Sequence, residues 1–156
     1  MPENRYQCDK INEARFKKTY PRIEMLNTRE RKLKMYIKQL ILTNFKGYVG
    51  EQIFEFSDKV NYFVGDNNSG KTTIFDAIHL LFSGESIEGY RNNTVQDVVA
   101  IEAELADVHA EKIPPKASKY AGLVSDDGRL IFRKSSSDPK KVFVWDFSAE
   151  APEFIN

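Results

Sequence analysis

Short runs in which apolar and polar residues alternate predict several β-strands. The run from Tyr36 to Thr43 is rich in apolar and β-branched residues, and Glu51 to Phe56 alternates polar with apolar positions. Residues 44–48 between them have turn chemistry, so we expect two strands that pair with each other. A third apolar run, Val60 to Val64, predicts another short strand that ends at Gly65.

The next segment, Thr72 to Phe82, has apolar residues at helical spacing. The predicted apolar face of this helix consists of Phe75, Ile78, Leu81 and Phe82. Ser83 and Gly84 follow, and glycine favours the left-handed conformation that often ends a helix. We therefore expect an amphipathic helix that stops at Ser83–Gly84.

The second half of the chain predicts a group of antiparallel strands. Residues 99–105 alternate strictly, which is typical of a strand with one wet face that carries Glu102 and Glu104. Arg129 to Lys134 and Lys141 to Phe147 are two further β-rich runs, and the polar turn between them predicts a hairpin.

Composition places the 156 residues in one globular domain rather than in a membrane or disordered chain. Hydrophobic residues make up 41% and charged residues 29% of the sequence. No run approaches the roughly 18 apolar residues that a membrane helix needs, and the N-terminus lacks an apolar signal sequence. A single cysteine, Cys8, cannot form an internal disulfide. We expect a cytoplasmic protein that does not contact a membrane.

The net charge of zero hides an uneven distribution. Residues 1–34 contain ten Lys/Arg and five Asp/Glu, a net charge of +5, so residues 35–156 carry −5. We divide the chain into a basic extension, 1–34, and a folded domain, 35–156. The extension is open to two interpretations, a contact with nucleic acid or an acidic partner and a solvated, poorly ordered terminus.

A phosphate-binding motif lies between the third predicted strand and the helix. Residues Gly65 to Thr72, GDNNSGKT, fit the P-loop pattern G-x4-G-K-[ST] at every fixed position. In such a loop, successive backbone amides surround a polyphosphate and the following helix directs its positive end at it. The glycines permit tight dihedral angles and close approach. The sequence therefore predicts a nucleoside triphosphate site. ATP with Mg²⁺ is the expected ligand, and the motif leaves the choice between ATP and GTP open.

Each residue of the motif has an expected role. Lys71 is the candidate catalytic residue, which would bridge the β- and γ-phosphates, and the hydroxyl of Thr72 would bind Mg²⁺. Thr73 adds a hydroxyl toward the α-phosphate. The candidate nucleotide-binding residues are Lys46, Gly65, Asn67, Asn68, Ser69, Gly70, Lys71, Thr72 and Thr73.

The turn Asn44-Phe45-Lys46-Gly47-Tyr48, the double Asn of the loop and Asp76-Ala77-Ile78 after it carry a family resemblance. Together they resemble the opening of ATP-binding-cassette-type heads of the SMC/RecF class of DNA-maintenance ATPases, particularly the OLD-family ATP-dependent nucleases. The resemblance implies an α/β P-loop NTPase head lobe, with a mixed sheet around one P-loop helix and an antiparallel β subdomain.

The resemblance also implies partners and further site residues. Lys46 would reach the nucleotide phosphates, whereas without the resemblance it is an ordinary solvated lysine of a turn. Asp76 belongs to the shared pattern, although a carboxylate near a helix start can simply favour the helix dipole. The partners would be ATP, the rest of an ATPase head or a second copy of it, and DNA bound by the full assembly.

Parts of such a head are missing from the sequence. We find no Leu-Ser-Gly-Gly-type signature and no apolar strand that ends in Asp-Glu. Val142 to Asp146 has the outline of the latter, but it directly follows a hairpin turn, so we predict an antiparallel strand. The chain alone is therefore expected to hydrolyse ATP weakly or not at all.

Other functions are open to different degrees. A non-hydrolysing nucleotide-binding module that pairs with a full-length ATPase is the main alternative, and a small P-loop kinase or GTPase is disfavoured by the antiparallel strands. The basic residues of 129–141 would either follow a DNA backbone or keep the hairpin in solvent. His79 and His109 have no partners at zinc-ligand spacing.

Overall fold

The structure of the protein, a computed structural model, describes residues 35–66, 70–148 and 153–156. Within them, strands β1 (Tyr36–Thr43), β2 (Glu51–Glu55), β3 (Ala100–Ala106), β4 (Leu130–Ser135), β5 (Phe143–Asp146) and β6 (Glu153–Ile155) form one sheet, and α1 (Lys71–Phe82) packs against it. Short 3-10 turns span Glu88–Tyr90, Ala110–Lys112 and Pro115–Leu123. The predicted basic extension, residues 1–34, lies outside the described residues.

The six strands are ordered β2-β1-β3-β4-β5-β6, and every neighbouring pair is antiparallel. The predicted pairing of β1 with β2 is confirmed, with Leu40 opposite Phe54 and Leu42 opposite Gln52. The strand that we expected to be antiparallel at Val142–Asp146 is also confirmed as such, because β5 pairs antiparallel with β4.

Alternation along the strands directs one set of side chains into a single core. Leu40 and Leu42 of β1 are fully buried, as are Ile101 and Ala103 of β3. Glu102 and Glu104 lie between these buried positions of β3 and are partly exposed, so the predicted wet face is confirmed. Such period-two burial is what an antiparallel sheet covered on one face requires.

The helix buries a face that only partly overlaps the predicted one, because Leu81 is buried and Ile78 packs against the core as expected. Its buried residues are Ile74, Ala77, Leu80 and Leu81. Phe75 and Phe82 were expected inside but are 55% and 53% exposed. They lie at the margins of the buried stripe, where Phe75 meets the ring of Phe63 and Phe82 meets that of Phe132. Apolar residues three and four positions apart form two overlapping stripes on this helix, the predicted one and the observed one. Contact with the sheet buries the observed stripe, whose residues are smaller.

The end of the helix also differs from the prediction. Ser83 is the C-terminal cap, in an extended conformation with φ −84° and ψ 158°, and Gly84 is not in the left-handed region. A left-handed glycine is therefore not what satisfies the last carbonyl groups. They are bound instead by Lys134 of β4, whose ammonium donates to the carbonyl oxygens of Leu80 and Ser83.

The prediction of a third strand from Val60 to Val64 is wrong. This segment has no strand assignment, and Val60, Tyr62 and Val64 are 66%, 57% and 91% exposed. An apolar run forms a strand only where another strand binds its backbone. None of the described strands pairs with residues 60–64. For the same reason the expected mixed sheet is antiparallel throughout these residues.

No helix in the described part of the chain is long and apolar enough to cross a membrane.

Candidate phosphate-binding site

The junction between the loop and α1 is built around Gly70. This residue is the N-terminal cap of the helix and adopts φ 88°, ψ 4°, a left-handed conformation that favours glycine. A Cβ placed on it would lie 2.2 Å from Oη and 2.8 Å from Cζ of Tyr48. The prediction that Gly70 provides both an unusual dihedral angle and close approach is therefore supported, although the approaching group is Tyr48.

Lys71 begins the helix and directs its ammonium back over the loop. Its Nζ donates to the carbonyl oxygens of Gly65 and Asp66, each at 2.6 Å. The first turn of α1 contains no acidic residue, and Gly65, Asp66 and Thr72 are exposed. A positive helix end and an ammonium thus lie together at an accessible surface, the combination that attracts an anion.

The turn after β1 is held in a defined, strained shape beside this junction. Asn44 and Lys46 have φ of 50° and 51°, unusual values for residues with a side chain. The buried Asn44 compensates by accepting from the Gly50 amide at 2.9 Å and donating to the Val98 carbonyl at 3.0 Å. Asn92 donates its side-chain amide to the carbonyl oxygen of Lys46 at 2.5 Å. These bonds fix the direction in which Lys46 leaves the turn.

The partly exposed side chain of Lys46 reaches the helix. Its ammonium lies 2.6 Å from Oδ2 of Asp76 and 5.2 Å from the centre of the Tyr90 ring. Lys46 is therefore ion-paired in addition to being partly solvated, and its contact with the nucleotide phosphates stays a prediction. Asp76 is the sixth residue of the helix, beyond the first turn where a carboxylate favours the dipole, so its observed role is the ion pair with Lys46.

The remaining predicted residues are distributed around this junction. Thr72 is exposed and Thr73 is half-buried at the start of α1. Asn67, Asn68 and Ser69 lie outside the described residues, so their expected contacts stay predictions. The structure thus brings Gly65, Gly70 and Lys71 together at the start of α1 and places Lys46 beside its second turn.

Three residues of this region were missed by the sequence reasoning. Tyr90 stacks on the buried ring of Phe45, with ring centres 5.6 Å apart and planes within 2°, and its carbonyl accepts from the Lys46 amide at 2.7 Å. Asn92 bonds the turn, as described above. Lys134 binds the far end of the helix. The segment around Tyr90 and Asn92 is polar and rich in turn residues, which gave no signal that it supports the site.

The basic residues of the hairpin do not form a continuous charged row. Lys134 is fully buried, Arg129 pairs with Asp127 at 2.8 Å, and Lys141 pairs with Asp138 at 2.8 Å. Arg133 stacks over Phe154. The expectation that Lys134 is either solvated or directed at DNA is therefore wrong, because its side chain points into the core.

The wet face of β3 is less simple than predicted. Glu104 accepts a hydrogen bond from Lys38 at 3.0 Å. Partial burial raises the pKa of Glu102 above its usual value, and nearby Arg133 opposes part of that rise. Among the described residues, no group of three or more His, Cys, Asp or Glu side chains is arranged to hold a metal ion.

Comparison with known families identifies the class of protein. Residues 35–142 match the family described as AAA ATPase domain. The chain belongs to this family. The match covers the turn, the phosphate loop, α1 and strands β1 to β4, and it confirms the predicted α/β P-loop NTPase class.

Curated relatives are similar over shorter stretches. The chain is 46% identical over 52 residues to the DNA replication and repair protein RecF of Ruminiclostridium cellulolyticum, which covers 33% of this chain and 14% of the relative. It is 33% identical over 106 residues to RecF of a Geobacillus species, covering 68% of this chain and 25% of the relative. It is 34% identical over 65 residues to the chromosome partition protein Smc of Myxococcus xanthus, covering 42% of this chain and 5% of the relative. The chain thus spans about a quarter or less of the length of these relatives.

Proposed function

We propose that this chain is the nucleotide-binding lobe of an SMC/RecF-like ATPase that acts in DNA repair, DNA processing or phage defence. The observation that carries the proposal is the junction at Gly70 and Lys71. A left-handed glycine, an ammonium that already binds two loop carbonyls, and an accessible helix start free of acidic residues in its first turn suit a polyphosphate. Membership of the AAA ATPase domain family supports ATP as that polyphosphate.

The residues present fit ATP with magnesium. In our proposal Lys71 exchanges its bonds to the Gly65 and Asp66 carbonyls for bonds to phosphate oxygens, and the exposed hydroxyl of Thr72 is available to Mg²⁺. Bound magnesium would supply positive charge against the phosphate oxygens. Lys46 would contribute a second positive charge once it separates from Asp76. The ion pair with Asp76 keeps the ammonium of Lys46 beside the P-loop helix.

Hydrolysis needs groups that the described residues do not provide. Asp146 ends β5, which is antiparallel to β4, so this carboxylate does not end a parallel strand beside the phosphate loop. We therefore propose that turnover requires the rest of an ATPase head and its paired head, and that the chain by itself binds nucleotide with weak or no turnover. This observation equally favours the second candidate function, a non-hydrolysing module that pairs with a full-length ATPase.

The exposed apolar side chains of segment 60–64 support docking to the rest of a head. Val60, Tyr62 and Val64 expose apolar side chains next to the phosphate loop, while Phe63 packs on Phe56 and Phe75. Exposed apolar side chains that lie close together suit an interface with another part of a protein. Within the SMC/RecF class, the turn at Lys46 and the double Asn of the loop favour an OLD-type nuclease as the complete protein, and DNA as its substrate.

A binding experiment tests the nucleotide site. Mg²⁺ and a fluorescent ATP analogue are titrated with the full chain, the variant Lys71→Ala and the control Lys116→Ala, which removes the same charge from an exposed position. A lost bond to a charged phosphate corresponds to about 1.5–3 kcal/mol, or roughly tenfold to hundredfold weaker binding. We expect this loss for Lys71→Ala and none for Lys116→Ala. Equal affinity of all three proteins would contradict the assignment.

A further inference from the structure

Lys134 occupies an unusual position at the far end of the P-loop helix. It lies on β4 opposite Ile101, and its side chain is fully buried. Its ammonium donates to the carbonyl oxygens of Leu80 at 3.0 Å and Ser83 at 2.8 Å, in the last turn of α1 and at its cap. Among the described residues, Lys134 is the one charged residue that is buried.

The surroundings explain how a charged group is tolerated there. Burial of an ammonium is costly unless hydrogen bonds replace its water. Burial lowers the pKa of Lys134, and nearby Glu85 opposes that shift. The last carbonyl groups of a helix have no backbone partner inside it, and a helix C-terminus carries partial negative charge. The Leu80 carbonyl also accepts from the Ser83 hydroxyl at 3.2 Å. The contact therefore satisfies the ammonium and the helix end together.

A second contact attaches the same helix end to the same hairpin. The amide of Ile87, a fully buried residue just beyond the helix, donates to the Pro139 carbonyl at 3.0 Å. Pro139 lies in the connection between β4 and β5. The helix end is thus bound at two points of the β4–β5 hairpin, once through a side chain and once through the backbone.

The orientation of the helix sets the position of the phosphate loop. A helix of twelve residues is about 18 Å long, so a rotation of only about 3° at one end moves the other by about 1 Å. Functional groups must generally be held within about 0.5 Å of their working geometry. The near end is held by the contact of Tyr48 with Gly70, and the middle of the helix by the Lys46–Asp76 pair. The far end depends on the hairpin.

We propose that Lys134 is a positioning residue for the phosphate site. By binding the last turn of α1 to β4, it sets the direction of the helix and hence the geometry of the loop at Gly70 and Lys71. The inference rests on the proposed function for its ligand. Lys134 would thus influence nucleotide affinity from the end of the helix opposite to the phosphate loop.

The test compares three variants of the full chain. Lys134→Met keeps the length and removes the donors, Lys134→Gln keeps a neutral N–H donor, and Arg133→Met changes the neighbouring side chain on the other face of β4. Affinity for the fluorescent ATP analogue with Mg²⁺ is measured at a temperature where circular dichroism shows each protein folded. We expect affinity at least tenfold weaker for Lys134→Met, an intermediate loss for Lys134→Gln, and a change below twofold for Arg133→Met.

Hydrogen exchange without nucleotide separates positioning from simple capping. In Lys134→Met we expect faster exchange at the last turn of α1 and also at residues 71–75, with no change there in Arg133→Met. Faster exchange confined to residues 80–83, or unchanged nucleotide affinity in a folded Lys134→Met protein, would overturn the proposal. If Lys134→Met does not fold, Lys134→Gln is judged by the same two criteria.

The two proposals fail in different ways. If the unmodified chain binds no nucleotide, the proposed function fails, and positioning is decided by the exchange of residues 71–75 alone. If the unmodified chain binds nucleotide and Lys71→Ala does not, but Lys134→Met binds as tightly as the unmodified chain, the proposed function stands and the role of Lys134 is refuted.

Discussion

Replacement of Gly70 by alanine would violate two constraints that the structure places on this residue. The first is the backbone, because φ of 88° is unfavourable for a residue with a Cβ. The second is space, because the new Cβ would lie 2.2 Å from Oη of Tyr48. Left-handed backbone costs about 1–2 kcal/mol for an ordinary residue. The Tyr48 ring must also move, which weakens its packing on Phe54.

A pair of substitutions isolates the two parts. We expect Gly70→Ala to lower the free energy of unfolding by about 2–3 kcal/mol, the sum of the backbone term and a steric term of about 1 kcal/mol for overpacking. In the Tyr48→Ala background the steric term disappears, so the same change should cost only the backbone term. The difference, about 1 kcal/mol, is the coupling energy of a double-mutant cycle.

Urea denaturation followed by circular dichroism measures these free energies. Gly84→Ala is the matched control at the other end of the helix, where a Cβ meets nothing within 4 Å and φ is not left-handed. We expect a change below about 0.5 kcal/mol there. Equal stability of Gly70→Ala and Gly84→Ala, or zero coupling with Tyr48→Ala, would refute the close-approach account of the junction.

Two further predictions concern charged residues. In a double-mutant cycle of Lys46→Ala and Asp76→Ala, we expect a coupling energy of about 0.2–1 kcal/mol from urea denaturation, because the ion pair is partly exposed, and zero coupling would contradict the pair. For Glu102, burial raises the folded pKa above the unfolded value of 4.5, so the folded protein binds more protons between these two values and its stability falls as pH rises through them. Glu102→Gln should remove that fall and be more stable than the unmodified chain at pH 7. If the free energy of unfolding, measured by urea denaturation between pH 4 and 7, depends on pH in the same way in both proteins, the raised pKa of Glu102 is contradicted.

The strands of the sheet could be predicted because alternation determines which side chains face the core. β1 has the predicted bounds, Tyr36–Thr43, and the predicted exposed face of β3 carries Glu102 and Glu104. In an antiparallel strand covered on one face, the sequence of the strand itself indicates which side chains face the core once the strand has a neighbour. The P-loop motif likewise predicted where the helix starts to within one residue, since Gly70 and Lys71 belong to the motif.

The errors arose where distant residues decide the outcome. Segment 60–64 has strand composition, but a strand also needs a neighbour, which the described residues do not supply. The helix could bury either of two apolar stripes, and contact with the sheet decides between them. Lys134 lies in a basic run that is typical of a solvated hairpin, yet it is buried because the end of α1 lies above it. None of these partners is near in sequence.

The most direct test of the phosphate site is a two-dimensional ¹⁵N NMR titration of the full chain with inorganic triphosphate and Mg²⁺, followed by ATP. We expect triphosphate alone to shift the amide signals of residues 65–73, the loop and the first turn of α1, because the backbone amides there would bind the phosphates. ATP should shift the same signals and, in addition, those of the turn at residues 44–48. No shift, or shifts confined to residues far from the Gly70–Lys71 junction, would contradict the central claim that this junction binds a polyphosphate.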